Sequence, residues 1–369
     1  MSASVAISAE QERIAHVVRS AETVLTSGVF GVGAHISATA DAYYRGVGRM
    51  CAEVLGVAPE ILESPSTPGA ESLRRAQLDR ALRAVFAGDL DVARQDIDDY
   101  LDLRPESRGG DIRGGDVLRL AEDWGTPGAS AGALDRFAAS TLLDSEPVSL
   151  QPAEHSAELA ASISDAVRVA EGALPTLARD AFSCVSRVGV FTTKSTLYSG
   201  YASSAALFVF INETALQESA SAAEFLLHES LHQKLNDISL ARTLVRHDYR
   251  DEESDQVHVP WSFGSDKERS FGADRSFAAF HVYTHQVLLY LGMYANGVPD
   301  EIRATERAAL AWARADVFAR AIRDGQLDRE LGRDGRRLAD WLGRAVDQLG
   351  EVPLPGGRKL ASFRGEVHG

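Results

Sequence analysis

The sequence predicts a mainly helical α+β protein in which bundle-like helical lobes surround a small β-sheet, and it does not predict a cupin jelly roll. Two observations carry this prediction. Apolar residues recur at helical spacing through most of the chain, and two short strand-like runs lie in its middle. With 369 residues, the chain is long enough to bury a large core and to form two or three lobes.

Residues 1–150 form the first of three predicted regions, a helical region whose candidate role is substrate recognition. In this region and just after it, helical periodicity covers residues 9–26, 38–55, 73–86, 134–143 and 153–173. Residues 104–116 are polar and contain two glycine pairs, which predicts a loop. Pro175 suits the first turn of a further helix.

Two strands are predicted in the second region, residues 151–295, which is interpreted as the core that carries the chemistry. Residues 185–193 are rich in β-branched side chains, and residues 206–212 form a short, continuous apolar run. A strand placed just before a functional helix can form the edge of a cleft, where an extended peptide could pair with it. Two core strands that never touch a substrate are the open alternative.

The rest of the chain is predicted to be helical apart from one loop and the tail. Residues 248–269 are polar and predict a loop, whereas residues 276–294 are almost continuously apolar and predict a buried helix. Amphipathic helices at 299–322 and 327–349 are expected to pack on the core and form the third region, residues 296–369. Residues 356–369 predict a frayed tail.

Composition and charge exclude several classes of partner. The net charge of −15 argues against binding to nucleic acid or to anionic membranes, which requires a basic surface. The two cysteines, Cys51 and Cys184, provide neither a disulfide framework nor a cysteine zinc site, which fits a reducing compartment. No signal peptide and no membrane-spanning apolar run is visible, so we expect a cytoplasmic protein. Its oligomeric state is not indicated.

The most informative motif is His228-Glu229-Ser230-Leu231-His232, which reads HExxH. Two histidines four residues apart on a helix project from the same face, so both imidazoles can reach one metal ion. The glutamate beside the first histidine lies next to that ion, where it could move a proton or donate or accept a hydrogen bond. Lys234, Asn236 and Asp237 are expected at the exposed end of this helix. The motif predicts a metal site.

A catalytic metal ion is expected to have a third protein ligand. The long metalloprotease pattern HExxHxxGxxH fails, because Leu235 and Ile238 stand where glycine and histidine would be. Glu252 falls at the spacing of thermolysin-like sites, but its charged and aperiodic surroundings are typical of a solvated loop. His281 is favoured, because an imidazole within an apolar helix is costly unless something satisfies it. His285, one turn later, is the reserve candidate.

Several short sequence features, taken in their order along the chain, together resemble the pattern of a known family. HExxH is followed by Lys234-Leu235, then by Pro260-Trp261, Arg275 and His281. This order resembles the HExxH-type 2-oxoglutarate-dependent peptide β-hydroxylases, and Ser199-Gly200 with the apolar run after it is similar to that family's strand region. The resemblance covers roughly residues 180–295.

The resemblance implies a non-haem Fe(II) enzyme of natural product biosynthesis with 2-oxoglutarate and O2 as cosubstrates. Its iron would be bound by His228, His232 and His281. The reaction would hydroxylate an amino-acid side chain at the β-carbon, within a peptide or in a free or carrier-bound amino acid. Arg275, or else Arg269, would bind the far carboxylate of 2-oxoglutarate, because a guanidinium can donate two parallel hydrogen bonds to a carboxylate.

Two alternatives to the hydroxylase stay open. The first is a zinc metallopeptidase in which the paired histidines and Glu252 bind Zn(II) and Glu229 acts as general base on the metal-bound water. The second is a non-catalytic binding protein that keeps the metal ion for stability. In an oxygenase no general base is required, and Glu229 would instead orient a ligand or substrate through hydrogen bonds.

Overall fold

The computed structural model describes residues 8–58, 68–102, 119–120, 132–143, 146–154, 156–261, 269–298 and 301–367. Within these ranges the chain is mainly helical with a small mixed sheet, and the strands form no jelly roll, so the predicted fold class is confirmed. None of the described helices combines the length and the apolar composition needed to cross a bilayer.

The described elements follow the predicted order closely. The helices are α1 (Ala9–Leu25), α2 (Gly28–Gly31), α3 (Gly33–Leu55), α4 (Pro68–Ala87), α5 (Leu90–Asp102), α6 (Ala133–Ser140), α7 (Ala157–Ala173), α8 (Leu177–Phe182), α9 (Ser219–Ala241), α10 (Ala273–Ala295), α11 (Glu301–Arg323) and α12 (Arg333–Gly350). The strands are β1 (Arg119–Leu120), β2 (Leu142–Leu143), β3 (Glu146–Pro147), β4 (Gln151–Pro152), β5 (Arg187–Thr192), β6 (Ser199–Gly200), β7 (Phe208–Asn212), β8 (Val257–Val259) and β9 (Arg269–Phe271). The sequence did not indicate α5, whose many aspartates obscure its apolar positions.

Contacts divide the chain into two compact units, both discontinuous in sequence. The motif unit consists of Gly33–Val167 and Ala181–Leu240, and the terminal unit of Met1–Val32, Arg168–Asp180 and Ala241–Gly369. The three regions predicted from the sequence are continuous and cut across these units. The HExxH helix α9 lies in the motif unit up to Leu240, whereas α10 with His281 lies in the terminal unit.

The main sheet of the motif unit has the strand order β1-β5-β7-β6, with β4 also paired to β5. β5 and β7 are parallel, and β6 pairs antiparallel with β7. Of the two alternatives left open for residues 206–212, the structure supports the core strand, because β7 is paired on both sides and every one of its residues is buried. Of the described strands, β6 forms the sheet edge next to β7.

The two faces of the sheet differ at β6. On one face, the ring of Phe137 in α6 stacks on Phe210 with 4.4 Å between centroids. A Cβ at Gly200 would overlap the Phe137 ring, so only glycine fits there. Successive residues of a strand face opposite sides. Ser199 therefore faces the other side of the sheet, where α9 lies.

The helices α3, α4 and α5 belong to the motif unit and share an apolar cluster. Its buried members include Cys51, Leu55, Leu78 and Ile97. The free Cys51 thiol is enclosed there, and burial raises its pKa, so it behaves as a small apolar side chain.

In the terminal unit, α10 packs against α1, α11 and α12. Every residue of α10 from 280 to 295 is buried, which explains its almost continuous apolar sequence and confirms the predicted buried helix. Gly292 allows the close approach of Ala173, because a Cβ at this position would overlap the Ala173 carbonyl.

Three predictions about irregular segments need correction or lie outside the described residues. Part of the predicted loop at 248–269 is a hairpin, because β8 pairs with β9, and residues 262–268 are not described. The predicted tail is packed rather than frayed over residues 356–367, where Leu360 and Val367 are buried and Arg364 pairs with Asp316. The predicted loop at 104–116 lies outside the described ranges.

Candidate metal centre

The paired histidines lie in the middle of α9, on one face, as their spacing predicts. The Nε2 atoms of His228 and His232 are 3.1 Å apart. Two imidazole nitrogens bound to one ion at about 2.1 Å would lie about 3.0 Å apart at a right angle and about 3.4 Å apart at the tetrahedral angle. The observed spacing therefore suits two neighbouring ligands of a single ion.

Both imidazoles are neutral at physiological pH. Burial lowers the pKa of His228 to about 3, with a smaller contribution from His232, and burial lowers the pKa of His232 to about 4. Each histidine as a whole residue is nevertheless only partly buried. Because a metal ion binds only the neutral form of histidine, these side chains need not release a proton before binding.

Glu229 lies beside the histidine pair and is almost fully enclosed, with 5% of its surface exposed. Its carboxylate and the two imidazoles place their ligand atoms within 4.8 Å of one another, the one such group found among the described residues. Burial raises the pKa of Glu229 to about 7, although the hydroxyl of Ser199 donates to its Oε1 at 2.6 Å and opposes the rise. A carboxyl group with this pKa exchanges a proton readily near neutral pH.

Residues 198–201, which include β6, run along the metal face of α9. The three contacts are Tyr198 stacked on Phe225 (5.9 Å between centroids), Ser199 bonded to Glu229, and Tyr201 stacked on His232 (6.3 Å). Residues 225, 229 and 232 follow the i, i+4, i+7 pattern and share one helix face. The sheet edge therefore supports both the glutamate and the second histidine.

The backbone N–H and C=O groups of Ser199 face away from the neighbouring strand β7. Asn212 N–H donates to Tyr198 O at 2.8 Å, and Ser199 is paired with Ile211 in the register of β6 and β7. In an antiparallel ladder this makes Ser199 and Ile211 the pair that does not exchange backbone hydrogen bonds. The N–H and C=O of Ser199 are therefore directed toward the outer side of β6.

The candidates for the third ligand lie on α10 in the terminal unit. His281 and His285 are both fully buried, and their ring centroids are 4.4 Å apart. His285 Nδ1 lies 2.6 Å from the His281 carbonyl oxygen and must donate to it, which places the lone pair of a neutral His285 on Nε2. The group identified around α9 contains neither histidine, so ligation by His281 stays a prediction.

The other predicted site residues also lie in the terminal unit. Arg275 is exposed in the first turn of α10, whereas Arg269 in β9 is partly buried. Glu252 is exposed in a short 3-10 turn, as expected for a solvated loop. The proposed roles of the two arginines toward 2-oxoglutarate stay predictions.

Residues at the end of α9 were assigned incorrectly from the sequence. Lys234 and Asp237 are buried rather than exposed, and Asn236 is only partly exposed. Sequence reasoning also did not give Ser199 or Tyr201 a role beside the motif. The available signal was the polar run 195–204 just before β7, which indicates a connection but not the helix face it contacts.

No family model and no curated protein matches this chain. What the geometry defines is a class of site: two neutral imidazoles and a buried carboxyl group on one helix, supported by the edge of a sheet. The donor set does not specify the metal ion, because imidazole suits zinc and iron alike.

Replacing Glu229 with glutamine should stabilise the metal-free protein at high pH. When the pKa of a carboxyl group is higher in the folded than in the unfolded state, the folded protein loses stability as the pH rises between the two pKa values. For Glu229 these values are 4.5 and about 7. Since one pKa unit corresponds to about 1.4 kcal/mol, we expect the free energy of unfolding of E229Q to exceed that of the wild type by about 3 kcal/mol at about pH 8 and by little at about pH 4. Urea unfolding with a chelator present measures this difference.

The matched control is Glu213→Gln, which removes an exposed carboxylate just before α9. This variant should follow the wild type at every pH. A difference between E229Q and wild type that does not grow with pH would contradict a buried carboxyl with a raised pKa.

Proposed function

We propose that this protein is a cytoplasmic Fe(II)/2-oxoglutarate-dependent dioxygenase that hydroxylates an amino-acid side chain. The observation that carries the metal-dependent part is the 3.1 Å spacing of the neutral imidazoles of His228 and His232 beside Glu229. The choice of this reaction is supported by the family resemblance. It is also supported by the exposure of Glu252, because a ligand in a water-excluding site is expected to be enclosed.

The residues present fit an iron ion, because neutral imidazole nitrogen is a suitable donor for Fe(II). When bound, the iron with 2-oxoglutarate and O2 would supply the oxidising power that converts a C–H bond to C–OH, while 2-oxoglutarate becomes succinate and CO2. His228, His232 and, as proposed, His281 would bind the ion. Arg275 or Arg269 would bind the far carboxylate of 2-oxoglutarate.

The residues around the histidines have separate tasks in this proposal. Glu229, held by Ser199, would orient substrate or a metal-bound ligand through its second oxygen. Tyr201 keeps the His232 ring in one orientation by stacking on it. A fixed ring orientation directs the Nε2 lone pair at the ion.

The direction of the Ser199 backbone supports a peptide substrate over a free amino acid. Its outward N–H and C=O could form two hydrogen bonds with an extended peptide, which would then lie beside the metal site. The net charge of −15 favours a basic peptide. We therefore propose a peptide segment as the substrate, with β-carbon hydroxylation as the reaction.

A zinc metallopeptidase is the second candidate, and the raised pKa of Glu229 favours it. A general base works best when its pKa lies near the working pH, and the pKa of Glu229 is about 7. In that reaction Glu229 would accept a proton from the zinc-bound water and transfer it to the leaving amine. The outward edge of β6 would serve either reaction.

Spectroscopy of the anaerobic protein separates the candidates. With Fe(II) and 2-oxoglutarate, a hydroxylase should show a weak visible charge-transfer band that fades when O2 is admitted, and succinate should form. Glutarate, which lacks the keto group, is the control and should give no band. Absence of the band together with zinc-restored peptide cleavage would favour the peptidase. Metal binding with neither activity would favour a non-catalytic binding protein.

A further inference from the structure

A cluster of charged side chains, most of them buried, lies in the motif unit, and Arg75 of α4 is at its centre with 2% of its side chain exposed. Its guanidinium donates to three carboxylates: Glu71 at 3.0 Å, Asp41 at 2.8 Å and Asp237 at 3.3 Å. It also lies over the ring of Tyr44, 4.9 Å from the centroid. One cation therefore connects α3, α4 and the HExxH helix α9.

The contact with α9 is made just over one turn beyond His232. Asp237 also accepts from Gln233 Nε2 at 2.7 Å, and Gln233 Oε1 accepts the N–H of Leu207 at 2.7 Å. Leu207 has a φ of 68°, a left-handed conformation that side chains rarely adopt, at the residue before β7. A continuous set of hydrogen bonds thus runs from α4 through α9 to the start of β7.

Apolar packing alone does not determine how α9 is rotated about its axis. Its buried residues cover most of the helix circumference and include Ser230, Gln233 and Lys234 as well as leucines, whereas His228 and His232 lie on the partly exposed face. A buried surface this broad and partly polar provides no narrow apolar stripe that would select one orientation. Hydrogen bonds and ion pairs are directional, so the contacts of Gln233 and Asp237 select it instead.

The rotation of α9 decides whether the histidines meet their neighbours. Side chains project outward from the helix axis, with successive residues about 100° apart. A modest rotation of α9 about its axis therefore moves both Nε2 atoms away from their common target. It would also separate His232 from Tyr201 and Glu229 from Ser199, because both partners belong to the sheet edge rather than to α9.

We propose that Arg75 is a positioning residue of the metal site, which holds α9 through Asp237 and so sets the alignment of His228 and His232. The helices α3 and α4 then form part of the metal-binding framework, beyond the role in substrate recognition that the sequence suggested. This inference rests on the metal-binding part of the proposed function and not on the oxidation chemistry.

Arg74 provides a matched control within the same helix. Its side chain is 1% exposed, and it donates to both oxygens of Glu71 at 2.8 and 2.7 Å. Among the described residues, these side-chain hydrogen bonds of Arg74 stay within α4. Removing either arginine therefore deletes a buried cation that pairs with Glu71. Of the two, only Arg75 also donates directly to a residue of α9.

Binding of Co(II) to the full-length protein tests the proposal, with its visible absorption spectrum as a report on ligand geometry. We expect Arg75→Met to lower the Co(II) affinity by about 10–100-fold and to change the shape of the visible band, as changes behind metal ligands commonly do. Asp237→Asn should act in the same direction. Arg74→Met should lower the Tm of the metal-free protein yet keep the wild-type affinity and spectrum.

Other outcomes would overturn the proposal. If Arg75→Met binds Co(II) with wild-type affinity and spectrum, or if Arg74→Met weakens binding equally, the cluster serves stability alone. If Arg75→Met does not fold, Arg75→Lys and Asp237→Asn decide in its place, because a lysine keeps the charge but cannot bridge three carboxylates. Failure of the wild type to bind Co(II) would instead refute the metal site itself, and hydroxylation does not enter the test.

Discussion

Replacing His232 with alanine should abolish tight metal binding while leaving the helical fold intact. The change removes one of two nitrogens that lie 3.1 Å apart, and the remaining ligands cannot enclose an ion. Because changes behind a ligand already cost about 10–100-fold in affinity, loss of the ligand itself should cost more than about 100-fold. Calorimetric titration with Co(II) or Fe(II) measures the affinity, and far-UV circular dichroism checks the fold.

His258→Ala is the matched control, because His258 is exposed in β8. This variant should bind the ion like the wild type. His228→Ala should behave like His232→Ala. Unchanged affinity in both motif variants would show that the HExxH helix carries two ordinary histidines.

Replacing His281 should also abolish iron binding, whereas Glu252→Ala should leave it unchanged. His281 is fully buried, and it is the favoured third ligand of the hydroxylase hypothesis, while Glu252 is exposed and belongs to the peptidase hypothesis. His281→Ala would leave a cavity that lowers the free energy of unfolding by about 1–3 kcal/mol, so affinity must be measured on protein that is still folded. His281→Gln, which keeps a polar side chain of similar size, separates lost ligation from lost packing.

The opposite result would favour the zinc peptidase hypothesis over the hydroxylase hypothesis. Loss of metal binding in Glu252→Ala with normal binding in His281→Gln would support a zinc peptidase. Loss in His285→Ala alone would assign the third ligand to His285, whose Nε2 carries the lone pair. Retained binding in all of these variants would mean that the ion is held without a ligand from α10 or from the acidic turn.

Much of the fold was predictable because the local spacing of apolar residues indicates the helices and the central strands. α1, α3, α4, α10 and both central strands occur where apolar spacing predicts them, within a few residues at their ends. The sheet edge was not predictable in the same way. β6 is a Ser-Gly pair without an apolar pattern, whereas β7 has the continuous apolar run typical of a strand buried on both faces.

The packed chain end and the buried end of α9 were missed for a related reason. Polar residues such as Asp237 and Arg364 indicate a solvated segment on average, and only their buried partners, Arg75 and Asp316, show that these segments are packed. Those partners are far away in sequence: Arg75 and Asp237 are separated by 162 residues. No pattern within a window of one helix contains that information.

By itself, the sequence determined that His228 and His232 share a helix face, because four residues complete about one helical turn wherever the helix lies. It also determined the helical class of the chain, because apolar periodicity selects which face of each helix is buried. Only the tertiary structure decided that Ser199 holds Glu229, that Tyr201 stacks on His232 and that Arg75 reaches α9. The physical reason is that these contacts join distant segments, and their formation depends on how the whole core packs rather than on any local propensity.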